Sequence, residues 1–246
     1  VLLTLAAGAA GAGFVQGLSG FAFGLVAMSL WAWTLEPQLA AVMTVFGSVV
    51  GQLVAAVTVR RGWRWPVLAP FLVGALVGVP VGVWLLDRLD PVWFKAMLGT
   101  LLVSWAPTML LSERVPRLSG LGARADGMVG LVGGVLGGLG GFSGALPSLW
   151  VLLRGFDRDL QRSVIQTFNL ATLSATFAAY LASGMVTRDM WPMFAVVAPA
   201  LLVPTFIGTR VYLGIDERAF RRIVLTLLTL SGIALLTASL PVLLRR

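Results

Sequence analysis

The chain has 246 residues, of which 58% are hydrophobic and only 11% are charged, and its mean hydropathy is +0.94. Because a soluble globular domain carries about 25% charged residues, this composition excludes an ordinary soluble protein and predicts a polytopic membrane protein. The net charge of +8 does not indicate a nucleic-acid partner, since the arginines lie between or at the ends of membrane-length apolar runs. The lipid bilayer is the expected partner, and the lack of cysteine excludes a disulfide framework.

Eight apolar runs follow one another along the chain. Run 2–35 is too long for one straight crossing, because such a helix would measure about 50 Å against a hydrocarbon core of about 30 Å. Run 127–153 is nearer to spanning length but contains the glycine-dense segment GGVLGGLGGFSG at 133–144. The other six runs have the length of ordinary spans and cover 37–59, 66–86, 92–112, 163–183, 190–213 and 219–243.

The two irregular runs share a motif. Residues 17–25 read GLSGFAFGL and residues 138–146 read GLGGFSGAL, with the same residue at five of nine positions. Each glycine inside a helix costs up to about 1 kcal/mol relative to alanine. The sequence therefore predicts that both runs break at the motif.

The similarity extends beyond the motif. The tripeptide Ser-Leu-Trp occurs at 29–31 and again at 148–150, and Gly82 and Asp90 correspond to Gly208 and Asp216. This pattern predicts a single membrane transport domain, 1–246, made of repeat one (1–112), a connecting loop (113–126) and repeat two (127–246). Internal repeats of this kind are typical of secondary transporters, whose substrate sites lie between the repeats.

The distribution of basic residues predicts how the irregular runs cross the membrane. If all eight runs were simple spans, the eighteen basic residues would divide nine and nine between the two sides, without the usual cytoplasmic excess. If both irregular runs turn back at the motif, one side carries thirteen and the other only five, namely Arg88, Lys95, Arg188, Arg245 and Arg246. The second arrangement predicts two non-cytoplasmic termini and two inverted repeats. The predicted fold class is therefore an all-α polytopic membrane protein with two repeats, each with a glycine-broken, re-entrant first helix plus three transmembrane helices.

Each break would expose backbone N–H groups at the start of the following half-helix, where anions bind without a basic side chain. Two such breaks facing each other predict one site for a small anionic substrate. Packing alone is the alternative explanation for the glycines, since small residues let helices approach closely. The candidate binding residues in the two motifs are Gln16, Gly17, Ser19, Gly20, Phe21, Gly138, Gly140, Gly141, Phe142, Ser143 and Ser148.

Polar residues on the regular helix after each break are further candidates for lining a pathway. Thr44, Ser48 and Gln52 lie in the first repeat, and Gln166 and Asn169 lie three residues apart on one helix face in the second. Amides buried in a membrane helix are costly unless they find a partner. The hydroxyls of Thr44 and Ser48 have a second interpretation, because such groups often bond to the carbonyl four residues earlier in their own helix.

Several kinds of chemistry have no residues to support them. The chain contains no histidine, none of its ten carboxylates lies in the middle of an apolar run, and no metal-binding or nucleotide-binding motif occurs. We therefore expect no metal, no cofactor and no enzymatic activity. The glycines Gly74, Gly78 and Gly82 lie at four-residue intervals and are expected to pack against another helix.

The motifs GFVQGLSGFAFGL (13–25) and GGVLGGLGGFSGALPSL (133–149), with the segment RRGWRW (60–65), resemble those of the TauE/SafE family of membrane proteins. The resemblance covers nearly the whole chain. It implies transport of small sulfur-containing anions, such as sulfite or organosulfonates, usually outward across the bacterial inner membrane. The chain departs from the family pattern at 21–24, where FAFG replaces denser glycine.

The sequence as a whole predicts a transporter that exports sulfite or an organosulfonate by alternating access around a midplane site between the two repeats. An anion channel or uniporter is one alternative, favoured by the lack of a titratable relay in the spans. A non-transporting membrane scaffold is the other, in which the breaks serve packing only. The protein is expected in the bacterial inner membrane, and a homo-oligomer is compatible with the sequence.

Overall fold

The computed structural model describes residues 1–19, 22–58, 64–111, 121–211 and 217–245. Within these ranges the chain forms ten α-helices and no strand, and a single 3₁₀ turn at Arg188–Met190 precedes the ninth helix. The helices are α1 Leu2–Ser19, α2 Phe23–Trp31, α3 Pro37–Thr58, α4 Trp65–Leu86, α5 Pro91–Leu111, α6 Ala123–Gly140, α7 Ala145–Leu153, α8 Arg158–Ala182, α9 Trp191–Val211 and α10 Glu217–Leu243.

Seven of the described helices are long and apolar enough to cross a membrane, namely α1, α3, α4, α5, α8, α9 and α10. Six of them coincide with the six regular runs of the sequence, and α1 is the first part of run 2–35. Large apolar side chains such as Val73, Val77 and Leu227 are well exposed on α4 and α10. An aqueous surface would not favour this exposure, whereas a lipid environment does. The chain is therefore a multi-pass integral membrane protein.

Both irregular runs are interrupted at the repeated motif, as the sequence predicts. In the first run α1 ends at Ser19 and α2 begins at Phe23, and in the second α6 ends at Gly140 and α7 begins at Ala145. The second break has a clear conformational cause. Gly141 adopts the left-handed conformation (φ 80°, ψ 19°) and ends α6, and only glycine takes up this conformation without a steric penalty.

After each break the short helix folds back along the long one. The indole Nε1–H of Trp31, at the end of α2, donates to the carbonyl oxygen of Thr4 at the start of α1 (3.1 Å). The Nε1–H of Trp150, near the end of α7, donates to Oδ1 of Asp126 in the first turn of α6 (2.7 Å). These contacts bring the two ends of each interrupted segment together. The two segments are called here the first hairpin (α1 and α2) and the second hairpin (α6 and α7).

Glycines allow the long helix of each hairpin to pack closely on a helix of the other half of the chain. On α4, methyl groups added at Gly74, Gly78 and Gly82 would collide with carbonyl oxygens of α6. This confirms the packing role predicted for the three glycines. On α9, a methyl group at Gly208 would lie 2.5 Å from the carbonyl oxygen of Phe14 in α1.

Contacts near helix ends show how several of the helices run relative to one another. The start of α3 lies beside the end of α4, through a contact of 3.4 Å from Gln38 Nε2 to Asp87 Oδ1. The start of α10 lies beside the end of α5, where the Arg221 guanidinium donates to the carbonyl oxygen of Met109 (2.9 Å). Helix α4 is parallel to α6, since Gly74 faces Gly127 and Gly82 faces Gly138. Because α3 and α4 are consecutive and antiparallel, α6 begins at the end where α3 finishes.

Candidate functional site: the meeting point of the two helix breaks

The two breaks meet in the core. A methyl group added at Gly24, next to the first break, would collide with the carbonyl oxygen of Gly141 in the second and would lie 3.6 Å from Oγ of Ser48. A methyl group on Gly141 would lie 3.1 Å from Cγ2 of Thr44. Two residues of α3 predicted from the sequence therefore lie where the breaks touch.

Helix α8 brings polar groups to the other side of the second break. The hydroxyl of Ser143 donates to Oδ1 of Asn169 (2.9 Å), and both residues are buried. A methyl group at Gly144 would lie 2.7 Å from Nδ2 of Asn169, and one at Gly137 would lie 3.2 Å from Cγ2 of Thr172. The absence of side chains at these glycines is what lets α8 approach the break.

Four polar atoms of the residues just described on α3 and α8 are buried and make no hydrogen bond within the described part of the chain: Thr44 Oγ1, Ser48 Oγ, Asn169 Nδ2 and Thr172 Oγ1. Together with Ser143, their residues are called here the break cluster. Thr44 and Ser48 do not bond to the carbonyl four residues earlier, so that interpretation of their hydroxyls does not apply. Because a buried polar atom without a partner costs about 1–3 kcal/mol, the cluster is suited to receive a polar ligand.

The donors of the break cluster suit an anion. Asn169 uses its carbonyl oxygen as the acceptor for Ser143, so its NH₂ group is left as a donor. The hydroxyls of Thr44, Ser48 and Thr172 can also donate. No charged side chain belongs to the cluster. Neutral donors held in a low-dielectric core bind an oxyanion more strongly than they would in water.

The backbone amides at the breaks are less available than the sequence suggests. The amide of Phe23 donates to Oε1 of Gln16 (3.0 Å), and that of Ala22 donates to Oγ of Ser19 (3.2 Å). At the second break the amide of Ala145 donates to the carbonyl oxygen of Phe142 (3.0 Å). The first N–H group of each half-helix, that of Phe23 in α2 and that of Ala145 in α7, therefore already has an acceptor.

The other predicted residues lie around the cluster or serve the breaks themselves. Gln16, Gln52 and Gln166 are buried near it, and Gln16 packs on Gly51 of α3. Gly17 contacts Gly208, Gly138 contacts Gly82, and Gly140 contacts Phe142. The hydroxyl of Ser148 donates to the carbonyl oxygen of Ala145. Ser19 is exposed, and its hydroxyl donates to the carbonyl oxygen of Val15. Gly20 and Phe21 lie outside the described residues.

Sequence reasoning missed three residues that build the site. Thr172 continues the spacing of Gln166 and Asn169 along α8, a helical period that could have identified it. Tyr180 donates from its hydroxyl to the carbonyl oxygen of Gly138 (2.7 Å) and so ties the end of α6 to α8. Trp105 of α5 donates to the carbonyl oxygen of Ala145 (2.5 Å) and fixes the start of α7. No sequence signal points to these last two contacts, because they join distant parts of the chain.

Comparison with known proteins places the chain in a family. A family profile described as "Sulfite exporter TauE/SafE" matches residues 5–235. A similar curated protein is "Probable inner membrane transporter protein TsaS" of Comamonas testosteroni, which is 26% identical over 181 residues, covering 71% of this chain and 73% of that protein. No solved structure matches the chain significantly.

The family and this relative are transporters, which points away from an enzyme. The match extends over both hairpins and over every residue of the break cluster. The chain belongs to the TauE/SafE family and is a membrane transporter.

Proposed function

We propose that this protein exports a small oxyanion, sulfite or an organosulfonate, by alternating access around the break cluster. The observation that carries the proposal is the convergence of unpartnered, buried donors on the point where the two helix breaks touch. The name of the matching family, a sulfite exporter, supports the choice of substrate class. An oxyanion offers several acceptor oxygens, which is what the donors of Thr44, Ser48, Asn169 and Thr172 require.

The packing of the glycines supports an internal repeat. Gly82 of α4 contacts Val135 and Gly138 of α6, while Gly208 of α9 contacts Phe14 and Gly17 of α1. Gly17 and Gly138 head the two copies of the motif, and Gly82 corresponds to Gly208 in the sequence comparison. The fourth helix of repeat one, α4, thus packs on the second hairpin, and the fourth helix of repeat two, α9, packs on the first hairpin. This reciprocal packing is expected of two related units. In this proposal the repeats are 1–112 and 127–246, joined by 113–126.

The fold-back of the hairpins supports re-entrant segments with inverted topology. The ion pair between Arg154 and Asp126 (3.7 Å) brings the residues just before and just after run 127–153 to the same end of the molecule. This is the arrangement that collects most basic residues on one side. We accordingly assign that side to the cytoplasm and both termini to the opposite side of the membrane. The Comamonas testosteroni relative is described as an inner membrane protein, which supports the same membrane for this chain.

Two alternatives make different predictions. An anion channel or uniporter would also use the break cluster, and a channel would conduct at a high unitary rate in a voltage-driven manner. A membrane scaffold would use the breaks for packing only and would show no flux. The unpartnered donors favour a protein that binds a ligand over a scaffold. Packing alone does not offset the free-energy cost of burying a donor without an acceptor.

The test is flux in proteoliposomes containing the purified full-length protein. Labelled sulfite, an organosulfonate, sulfate and chloride are loaded in turn and their release is followed with and without a membrane potential. We expect saturable release of sulfite or the organosulfonate and little release of chloride. Absence of substrate-dependent flux across the panel would contradict transport of an oxyanion, and large single-channel currents would favour the channel.

A further inference from the structure

A second group of polar residues lies at the end of the second hairpin, away from the break cluster. Asp126, in the first turn of α6, is only 4% exposed. Arg154 follows the last residue of α7, and its side chain is 17% exposed. Trp150, one turn before Arg154, donates to Oδ1 of Asp126. The three residues join the start of α6 to the end of α7.

The charges of this group are paired only loosely. Nη2 of Arg154 lies 3.7 Å from Oδ2 of Asp126, which is an ion-pair distance but too long for a hydrogen bond. The other carboxylate oxygen, Oδ1, accepts a hydrogen bond from the indole N–H of Trp150. Nη1 of Arg154 is buried and has no hydrogen-bond partner within the described part of the chain. The guanidinium carbon lies 5.4 Å from the ring centroid of Phe156.

A guanidinium in this state is suited to a second anion. It carries five N–H donors in a planar fork that matches the paired oxygens of carboxylate, phosphate or sulfonate groups. Burying one of these donors without an acceptor is costly. Two further arginines, Arg124 and Arg162, are exposed near the starts of α6 and α8 at the same end of the molecule, and they raise the local concentration of anions.

We propose that Arg154 is a second oxyanion-binding site, at which an anion of the sulfite or sulfonate class competes with Asp126 for the guanidinium. Trp150 holds Asp126 in place, so the exchange needs no rearrangement of the hairpin. The site receives the anion before it passes to the break cluster, and Gln166 lies one helical turn beyond Arg162 on α8 toward that cluster. The choice of anion rests on the proposed function, but the site itself does not.

The test is calorimetric titration of the purified full-length protein in detergent with sodium sulfite. Arg154→Gln is expected to weaken the binding event at this site at least tenfold. Asp126→Asn is expected to strengthen it several-fold, because the anion no longer competes with a carboxylate. Arg158→Gln removes the same charge from an exposed position nearby and serves as the matched control, with a change of less than twofold expected.

Each result bears on the proposal separately from transport. Equal weakening in Arg154→Gln and Arg158→Gln would overturn it in favour of general surface attraction. Unchanged or weaker binding in Asp126→Asn would also overturn it, and this readout holds even if Arg154→Gln does not fold. If the wild-type protein shows no flux but retains Arg154-dependent binding, the proposed function fails and the site stands. If flux occurs and binding is independent of Arg154, the proposed function stands and the Arg154 site is overturned.

Discussion

Hydroxyl groups in membrane helices commonly donate to a carbonyl oxygen of their own helix. This chain contains hydroxyls that do so and buried hydroxyls that do not. Thr229 of α10 donates to the carbonyl oxygen of Leu225 (2.8 Å), and Ser104 donates to that of Thr100 (2.7 Å). Thr44 and Thr172 are buried, and their hydroxyls make no hydrogen bond to any backbone or side-chain group within the described residues. At the scale of single residues, this difference separates hydroxyls that already have an acceptor from hydroxyls that bind the anion in the proposed function.

We expect Thr172→Val to lower sulfite flux by about 10- to 100-fold at subsaturating concentration. The substitution keeps the shape of the side chain and removes one hydrogen bond to a charged ligand, which contributes about 1.5–3 kcal/mol. The thermal unfolding temperature should stay the same or rise, because a buried donor without a partner is removed. Thr229→Val is the control and should leave flux unchanged. Equal flux in the two variants would contradict a ligand role for Thr172.

Asn169 allows a second test at this scale. Ser143→Ala removes the donor to Oδ1 of Asn169 and frees the amide to rotate. We expect weaker apparent affinity for sulfite, because the NH₂ group is no longer directed as a donor. The measurement is the concentration dependence of flux, with Ser104→Ala as the control. An unchanged affinity would show that the Asn169 orientation does not matter for binding.

At the scale of helices, close packing depends on glycines that face a carbonyl oxygen of the neighbouring helix. We expect Gly78→Ala to destabilise the protein by about 1–3 kcal/mol, because the added methyl group would collide with the carbonyl oxygen of Leu131 and force α4 away from α6. Gly11→Ala in α1 is the control, since nothing lies within 4 Å of its added methyl group. It should be neutral or stabilising because alanine is the better helix former. Thermal unfolding in detergent measures both, and equal stabilities would contradict the packing.

The orientation of the hairpins can be tested by cysteine labelling, since the chain has no native cysteine. Cysteines introduced at Leu121 and Asp157 should react with a membrane-impermeant maleimide from the same side of the membrane. A cysteine at Asp87 should react only from the opposite side. Labelling of Leu121 and Asp157 from opposite sides would show that the second hairpin crosses the bilayer.

Much of this element-scale description follows from the sequence, and the parts that do not have a physical reason. Helix lengths and the breaks follow from apolar runs and glycine density, which are local properties. The acceptor for the Phe23 amide at the first break does not follow from the sequence, because Gln16 reaches Phe23 only after the chain has folded back. Asp126 likewise reads as a loop carboxylate in the sequence and becomes buried because Trp150 and Arg154 return to it.

At the scale of the whole molecule, the arrangement of apolar surface indicates which parts face lipid. Leu227 in the middle of α10 is 60% exposed, and Leu244 beyond the end of that helix is 85% exposed. We expect Leu227→Arg to reduce the yield of membrane-inserted protein, because an arginine at the centre of a membrane helix costs about 2.5–3.5 kcal/mol. Leu244→Arg should insert normally, since its charge lies at the helix end. Equal yields would contradict the placement of α10 in the hydrocarbon core.

The central claim is that the two helix breaks form one oxyanion site lined by side chains of α3 and α8. The most direct measurement is the structure of the protein crystallised with selenite, whose selenium stands for the sulfur of sulfite and can be located by anomalous scattering. We predict a peak within hydrogen-bonding reach of Ser48, Asn169 and Thr172, and its loss in the Thr172→Val, Ser48→Ala double variant. Peaks confined to the arginines at the surface and at the end of the second hairpin, with none between the breaks, would contradict the account.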